Sequence, residues 1–479
     1  MPAFPNEIWL EVFKRLPRST LTHISASSRL FSQLARPMLF AHVQARMVIS
    51  TGGNANTRAA KLAEWEKRLE FWTSPSIAAF VRSCVLATSF WSNGGASDIM
   101  DLWVRNLHSF TMLRRLELRA ASLDLRLLGD LPSLREISVR YCNMWLDDSD
   151  DEGKDEDSTS QPSTPTIQKR ALFPLPLEDV TITVGDSEDF PYHDLLRALD
   201  AQSLRRLSIV CAQLSFDDVA EISKFRHLEK LSLSDDPENN YWQGGDVPSV
   251  AAGLFPMLQE MCGPIQVVSA FLHTGPIKSL SLVHPHGWQT MHSFLSTPRL
   301  SEITSLSLDL DLVGIPELEI LKRFGKLSRL SLQIYACFTE EYMKDRFEAY
   351  DSKATFDSKS EVPQLPPSWQ LAGEVVKNLP HSLTVVDIRM DGQYGGILGI
   401  GGSPQDDHGS PNEWLLAASR ERCPDLRALW VFSGRDFGIY WVKHLTGDVD
   451  VHFADNNVAA VIMLNERREV FDAWAGNKS

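Results

Sequence analysis

A short pattern of apolar positions recurs along most of the chain and predicts its secondary structure. Each copy has an aliphatic residue at its first, fourth and sixth positions, and several copies start 21 to 27 residues apart. A polar residue between two aliphatic ones is typical of a strand with one buried face. The copies begin at Leu113, Leu134, Leu177, Leu204, Leu228, Ile277, Ile303, Leu327, Leu383 and Leu426. The chain is therefore predicted to repeat one strand followed by a returning helix or loop.

This spacing lies within the length range of a leucine-rich repeat. Stacked repeats of this kind bury their aliphatic residues in one continuous core. The predicted fold class is α/β: a curved solenoid with parallel strands on its concave face and helices or loops outside. Solenoids bind other macromolecules on the concave face, so the pattern favours recognition over catalysis.

The residue between the last two aliphatic positions of each copy is predicted to lie on the concave surface. It is serine in several copies, and small residues suit the crowded inside of a curved sheet. Larger or charged side chains on this surface are the candidate substrate-binding residues, although any one of them is more typical of an ordinary solvated position than of a binding anchor. These candidates are Arg119, Arg140, Asp309, Gln333, Arg389, Trp430 and Phe432.

The first 45 residues have a different apolar spacing, which predicts three short helices. The first helix is predicted to stop at Pro17, and the third to end before Pro37, because proline restricts the residue that precedes it. Residues 46–76 are predicted to form a helical linker. The apolar residues at helical spacing are Ile8, Val12, Phe13, Leu16, Leu21, Ile24, Leu30, Phe31 and Leu34.

The repeats are predicted to span residues 77–433, and residues 434–479 to cap the open end of the core. Three insertions interrupt the period. Insertions of this kind project from a solenoid as loops, where they carry specificity or are neutral variation in length. They cover residues 143–170, 338–382 and 391–411.

Charge is distributed unevenly along the chain, which has 479 residues and a formal net charge of −15. Residues 147–157 have a net charge of −7, whereas residues 1–46 have a net charge of +4. An acidic bulk repels the phosphate backbone, so nucleic acid is not a predicted partner.

The sequence also predicts a compartment. The first residues lack the basic stretch and apolar run of a secretory signal. Apolar runs stay shorter than the ~18 residues that a membrane span needs, so no membrane association is expected. The six cysteines form no Cys-x-x-Cys motif and are expected to serve as small apolar residues in a reducing compartment. We expect a cytoplasmic or nuclear protein, or one found in both compartments.

Patterns that would indicate catalysis or cofactor binding are weak. The glycine-rich residues 395–402 lack the glycine spacing and the following Lys-Ser/Thr of a phosphate-binding loop. His284, His286 and His292 lie close in sequence, but no cysteine or carboxylate nearby completes a zinc site. The prediction is therefore a non-catalytic protein with no cofactor and no metal.

The N-terminal segment resembles an F-box, a three-helix motif of roughly 40 residues. Residues 4–8 (FPNEI) correspond to the family's Leu-Pro-x-Glu-Ile, with Phe4 in place of leucine. The family often has Val-Cys where residues 26–28 are Ala-Ser-Ser, and tryptophan near the position of Phe31. Further matching positions are Val12, Phe13, Leu16, Pro17, Leu21, Ile24, Leu30, Leu34, Pro37, Leu39 and Phe40.

An F-box followed by leucine-rich repeats resembles the substrate receptors of Skp–cullin–F-box ubiquitin ligases. The resemblance implies that the F-box binds a Skp-type linker, and through it a cullin, while the repeats hold a protein substrate. It implies an adaptor role without chemistry of its own. The candidate linker-binding residues are Phe4, Pro5, Ile8, Val12, Phe13, Leu16, Pro17, Leu21, Ile24 and Leu34. Some of them are expected to pack the three helices instead.

Two alternatives stay open at the level of sequence. The chain could be a non-catalytic repeat scaffold or inhibitor whose N-terminal helices only cap the solenoid. It could also be an enzyme with a site in the insertions between residues 338 and 411.

Overall fold

The computed structural model describes the N-terminal helices and the repeat strands. Two compact units divide the chain: Met1–Pro248 with Leu254–Met257, and Ser249–Gly253 with Leu258–Ser479. The described residues are 5–47, 55–88, 95–145, 174–184, 192–210, 216–234, 250–286, 294, 298–311, 321–336, 368–392, 411–433, 437–444, 446–455, 468 and 471–472. Phe4 and most of the three predicted insertions lie outside these ranges.

Three short helices open the first unit, and local sequence signals set their boundaries. They are α1 (Asn6–Lys14), α2 (Arg18–Ser27) and α3 (Arg29–Leu39). Pro5 and Pro17 directly precede α1 and α2, where a missing N–H breaks no helical hydrogen bond. The Ser28 hydroxyl caps α3 by accepting a hydrogen bond of 3.1 Å from the backbone N–H of Phe31. The predicted end of the third helix was wrong, because α3 accommodates Pro37 in its last turn.

Seven strands of the first unit form a parallel array in the order β1-β2-β3-β5-β7-β8-β9, with β4 and β6 forming a separate parallel pair. The strands are β1 (His42–Met47), β2 (Ser83–Thr88), β3 (Arg115–Arg119), β4 (Ser122–Asp124), β5 (Glu136–Arg140), β6 (Asn143–Trp145), β7 (Asp179–Thr183), β8 (Arg206–Val210) and β9 (Lys230–Ser234). The helices between them are α4 (Ala55–Thr73), α5 (Pro75–Ala78), α6 (Gly95–Arg105), α7 (Arg126–Gly129), α8 (Tyr192–Ala198) and α9 (Phe216–Ser223).

The parallel strands of the first unit are paired without a shift in register, and this places equivalent repeat positions side by side. Leu116 of β3 lies opposite Ile137 of β5, which lies opposite Val180 of β7. All three side chains are buried. A one-residue slip would turn each aliphatic side chain toward solvent, so burial of this face fixes the register.

The second unit continues the repeat with six parallel strands, then ends in two antiparallel ones. Its strands are β10 (Glu260–Gly263), β11 (Ser279–His286), β12 (Ser305–Asp311), β13 (Arg329–Ala336), β14 (Val385–Gly392), β15 (Ala428–Ser433), β16 (Phe437–Lys443) and β17 (Val449–Asp455). Its helices are α10 (Ile265–Phe271), α11 (Ser368–Asn378) and α12 (Pro411–Arg422). Short 3-10 helices span Leu107–Ser109 in the first unit and Pro298–Glu302 in the second.

Each of the ten strong copies of the apolar pattern forms a strand of the sheet, so the predicted α/β repeat fold is confirmed. Two repeat strands, β1 and β10, were missed, and β2 corresponds only to a weaker copy of the pattern at Val81, Cys84 and Leu86. The buried positions of β1 and β10 hold Ala45 and Gly263, where the pattern requires a large aliphatic residue. Sequence periodicity detects large side chains, whereas a strand in a stack forms wherever its neighbours supply the hydrogen bonds.

Several element boundaries differ from the predicted divisions. Strand β1 begins before residue 45, so the sheet starts inside the segment assigned to the N-terminal helices. Helix α4 occupies much of the predicted linker, 46–76. Helix α11 falls inside the predicted insertion 338–382, and β16 and β17 fall inside the predicted cap. Within the ranges given above, no helix is long and apolar enough to cross a membrane.

Three cysteine thiols belong to the buried core, and their burial has a chemical consequence. Burial raises the pKa of Cys142 and of Cys423 to about 11, and it raises the pKa of Cys84 further. The thiolate is the nucleophile in thiol chemistry, so these groups should be unreactive in the folded chain. We expect none of the three to be labelled by Ellman's reagent at pH 8, and all three to be labelled in urea. Peptide mapping that located a label on any of them in the native chain would contradict this expectation.

Candidate functional site

Helix α1 is apolar on two sides, and only one of them faces the helical core. Phe13 is 1 % exposed, and its ring centroid lies 5.6 Å from that of Phe31 on α3. The Trp9 centroid lies 4.8 Å from the same Phe31 ring. Edge-on aromatic contacts at these distances lock α1 onto α3. The buried residues of this core are Phe13, Leu21, Ala35 and Leu39.

The other side of α1 presents two aliphatic side chains to solvent. Ile8 is 47 % exposed and Val12 is 41 % exposed, and their spacing of four residues places them on one face of the helix. They line a shallow groove with the stems of Glu7, Glu11 and Arg15. Adjacent exposed aliphatic residues with a charged rim are typical of a protein-binding surface. We call Ile8 and Val12 with this rim the α1 face.

The structure separates the candidate linker-binding residues into three groups. Phe13 and Leu21 are core residues. Pro5, Ile8, Val12 and Pro17 are exposed. The remaining described candidates are half-buried against the core: Leu16, Ile24 and Leu34. Phe4 lies outside the described residues.

One exposed apolar residue was missing from the candidate residues. Leu30, near the start of α3, is 46 % exposed. A signal for it was present in the sequence, because it is one residue out of phase with Phe31 and Ala35, which face the core.

Substitution of Phe13 should unfold the three helices selectively. We expect Phe13→Ala to lower the free energy of unfolding of the three helices by about 3–5 kcal/mol, because loss of a large buried ring leaves a cavity that its neighbours do not fill. Hydrogen exchange of residues 6–39 should rise toward that of an unfolded chain. Val12→Ala is the matched control on the exposed face, and its effect should stay within about 0.5 kcal/mol. Equal protection in Phe13→Ala and in the unsubstituted chain would contradict the assignment of Phe13 to the core.

Two of the candidate substrate-binding residues lie in the first unit and come together. Arg119 of β3 and Arg140 of β5 are opposite one another in the register, and both are exposed. Arg119 forms an ion pair at 2.5 Å with Glu117, which is largely buried. These two neighbouring arginines give the carboxyl ends of β3 and β5 a local positive charge.

Four other candidates form one continuous row across β12, β13, β14 and β15 in the second unit. Asp309 is opposite Gln333, Gln333 is opposite Arg389, and Arg389 is opposite Phe432. The row therefore joins residues that lie far apart in sequence into one polar surface with an aromatic end.

Trp430, the last candidate, lies in a different environment from the exposed one predicted for it. It is 2 % exposed, and the Phe471 ring packs over it with a centroid separation of 5.6 Å. The Arg468 guanidinium stacks on its indole at 5.1 Å. Residues near the C-terminus therefore cover the sheet face at Trp430, which a repeat pattern restricted to the strands does not reveal.

A buried ion pair anchors this covering segment. Both carboxylate oxygens of Asp387, on β14, accept hydrogen bonds from Arg468, at 3.0 and 2.8 Å. Ser331 donates a further hydrogen bond of 3.2 Å to Asp387. Burial alone would lower the pKa of Arg468, but the hydrogen bonds and charges of Asp387 and Asp472 outweigh it and raise that pKa. Arg468 therefore stays charged in contact with Asp387.

Among the described residues, no group of three His, Cys, Asp or Glu side chains is placed to hold a metal ion. His284 and His286 lie on β11, and His292 is outside the described residues.

Comparison with known proteins identifies the N-terminal helices. Residues 1–41 match the F-box domain. None of the curated proteins compared with the chain matches it. Among solved structures, an internalin (inlF) from Listeria monocytogenes str. 4b F2365 is similar at 16 % sequence identity and a TM-score of 0.22. That similarity covers 54 % of this chain and 57 % of the internalin, so the chain spans little more than half of it.

Proposed function

We propose, from the F-box domain at residues 1–41, that this chain is the substrate-recognition adaptor of a Skp–cullin–F-box-type ubiquitin ligase. In this proposal the F-box binds a Skp-type linker, and through it a cullin. The repeats bind a protein substrate and hold it near the ubiquitin-conjugating enzyme. The chain makes no bond itself, and its effect is to raise the local concentration of substrate lysines. We place it in the cytoplasm, the nucleus or both.

The α1 face is the single observation that carries the linker-binding part of the proposal. About 40 residues rarely bury enough apolar surface to be stable alone, so a unit of this size benefits from a partner. The three helices fill their own core and still leave Ile8 and Val12 exposed. A partner that covers these two side chains would remove apolar surface from water. The excess of positive charge in residues 1–46 favours an acidic partner.

The parallel array supports the substrate-binding part. Its open face carries polar and charged side chains from successive strands in fixed register, as in the row from Asp309 to Phe432. Such a face can contact an extended segment of another protein at many points without any change in the fold.

Co-purification tests the proposal. The full chain is co-expressed with the Skp-type linker of the same organism, and the complex is isolated through a tag on the chain. We expect stoichiometric capture of the linker, and of a cullin when it is added. A folded chain that captures no linker would overturn the adaptor assignment and favour the scaffold or inhibitor interpretation.

A further inference from the structure

The open face of the sheet in the first unit is positively charged, although the chain is strongly acidic. Within a strand, every second side chain lies on the same face of the sheet. The register between neighbouring strands then places these side chains in rows that run across the strands. Counted over the seven parallel strands, this face carries six basic and three acidic side chains. The basic ones are Arg46, Arg115, Arg119, Arg140, Arg206 and Lys230, and the acidic ones are Glu117, Glu136 and Asp179.

The positive charge is concentrated at the carboxyl ends of the first strands. The register joins one residue from each of four neighbouring strands into a row. These residues are Arg46 of β1, Ala87 of β2, Arg119 of β3 and Arg140 of β5. All three arginines are exposed. We call Arg46, Arg119 and Arg140 the arginine row.

The row at the amino ends of the parallel strands has a different charge balance. There Arg115 faces Glu136 at 4.0 Å, and Arg206 faces Asp179 at 2.8 Å. Each arginine in this second row therefore has a carboxylate on the adjacent strand, which neutralises it.

No carboxylate lies opposite Arg119 or Arg140 in the register, where Ala87 and Thr183 flank this pair. Arg119 and Arg140 are like charges on adjacent strands, about 4.8 Å apart at the backbone, which is unfavourable in the free protein. Arg119 forms an ion pair with Glu117 on its own strand. Arg140 forms no ion pair with any residue that the structure describes. An anionic ligand would remove this repulsion and would gain charge-assisted hydrogen bonds from both guanidinium groups.

Two further features lie next to Arg119 and Arg140. The hydroxyl of Ser138, on the same face of β5 as Arg140, is buried and has no hydrogen-bond partner among the described residues. A ligand carboxylate that reached between the arginines would accept a hydrogen bond from this hydroxyl.

The residues that follow the two arginines, Ala120 and Tyr141, have φ values of 49° and 53°. Non-glycine residues in this left-handed region are strained, and such strain is concentrated at binding sites.

We propose that the arginine row binds an acidic segment, rich in Asp and Glu, of a protein substrate. Three strand intervals separate Arg46 from Arg140, about 14 Å, which an extended peptide spans with about four to five residues. The role as substrate recognition rests on the proposed adaptor function, whereas the binding itself does not.

Fluorescence anisotropy with a fluorescein-labelled six-glutamate peptide tests the proposal on the full chain. We expect binding that weakens as sodium chloride is added, because ions screen exposed charges. A six-glutamine peptide of the same length should not bind. The double variant R119Q/R140Q should weaken binding at least about tenfold, since it removes two charge-assisted contacts. R140Q alone provides a second, milder variant that keeps the Arg119–Glu117 pair.

The matched control removes the same charge elsewhere. Lys61 and Lys67 are exposed residues of α4, and K61Q/K67Q should change binding less than about twofold if the arginine row, rather than net charge, is responsible. Residues 147–157 contain eight acids that could compete with the peptide. The titration is therefore repeated with these acids replaced by Asn and Gln. Absence of binding in both chains, or equal binding by R119Q/R140Q and the unsubstituted chain, would overturn the proposal.

Linker capture by the same variants separates this proposal from the adaptor function. R119Q/R140Q should capture the linker as the unsubstituted chain does, because the α1 face is unchanged. Peptide binding without linker capture would leave the arginine row standing and remove the adaptor role. Linker capture without peptide binding would leave the adaptor role standing and overturn the proposal for the arginine row.

Discussion

The double variant I8D/V12D is expected to lose capture of the Skp-type linker while the chain stays folded. Both side chains are exposed, so carboxylates at these positions are hydrated in the free chain and cost little stability. In an apolar interface the same carboxylates would be buried without partners. Loss of two central contacts at about 2 kcal/mol or more each corresponds to roughly a thousandfold weaker binding. Titration calorimetry with the purified linker measures the loss.

The control for this variant adds the same charge to exposed helical positions outside the α1 face. His23 and Gln33 are exposed, and both accept glutamate within a helix. H23E/Q33E should keep linker binding within about threefold, because exposed charges at a rim contribute little. Leu16 is unsuitable for this test because it packs against the helical core, so its substitution would report folding. Linker binding by I8D/V12D at the affinity of the unsubstituted chain would exclude the α1 face from the interface.

Replacement of Arg468 by alanine should destabilise the second unit by about 2–4 kcal/mol, because the buried Asp387 carboxylate loses its two shortest hydrogen bonds. Among the described residues it keeps only Ser331 at 3.2 Å and Arg389 at 3.5 Å. Asp387 is 4 % exposed, so water cannot replace both hydrogen bonds that Arg468 donates. Trp430 would also lose the guanidinium that stacks on it. Urea unfolding, followed by hydrogen exchange in residues 428–442, measures the change in the second unit separately from the first.

Two further variants give this prediction its control and its test of coupling. Arg420 stacks on Trp441 at 5.6 Å but is exposed, and Arg420→Ala should cost less than about 1 kcal/mol. Asp387→Ala combined with Arg468→Ala should cost clearly less than the two single effects added, since neither charge is then left unpaired. Additive effects of the two substitutions would show that the ion pair does not hold the C-terminal residues on the sheet.

The repeat strands could be predicted from sequence because each carries its own signal. Leu116, Leu118 and their equivalents repeat at a spacing that only a strand with one buried face satisfies. Strands β1 and β10 carry smaller residues and gave no such signal. Their position is set by hydrogen bonds from neighbouring strands, as in the parallel pairing of Glu260–Gly263 with β11.

The candidate binding residues were only partly predictable, for a physical reason. An aliphatic residue in a short helix has the same sequence signature whether it fills the core, as Phe13 does, or faces solvent, as Ile8 does. The phase of a single turn does not separate these cases when apolar residues occupy both sides of the helix. The packing of α1 against α3 separates them.

The sequence by itself determined the repeat, the face that each strand buries and the existence of an N-terminal F-box, because these depend on local spacing and on a short motif. Only the tertiary structure decided which charges meet, because that depends on pairing between residues distant in sequence. The register places Arg119 beside Arg140. Folding brings Arg468 onto Asp387, 81 residues away, and so covers Trp430. Local patterns report burial, whereas electrostatic partners are selected by contacts that form only when the chain folds.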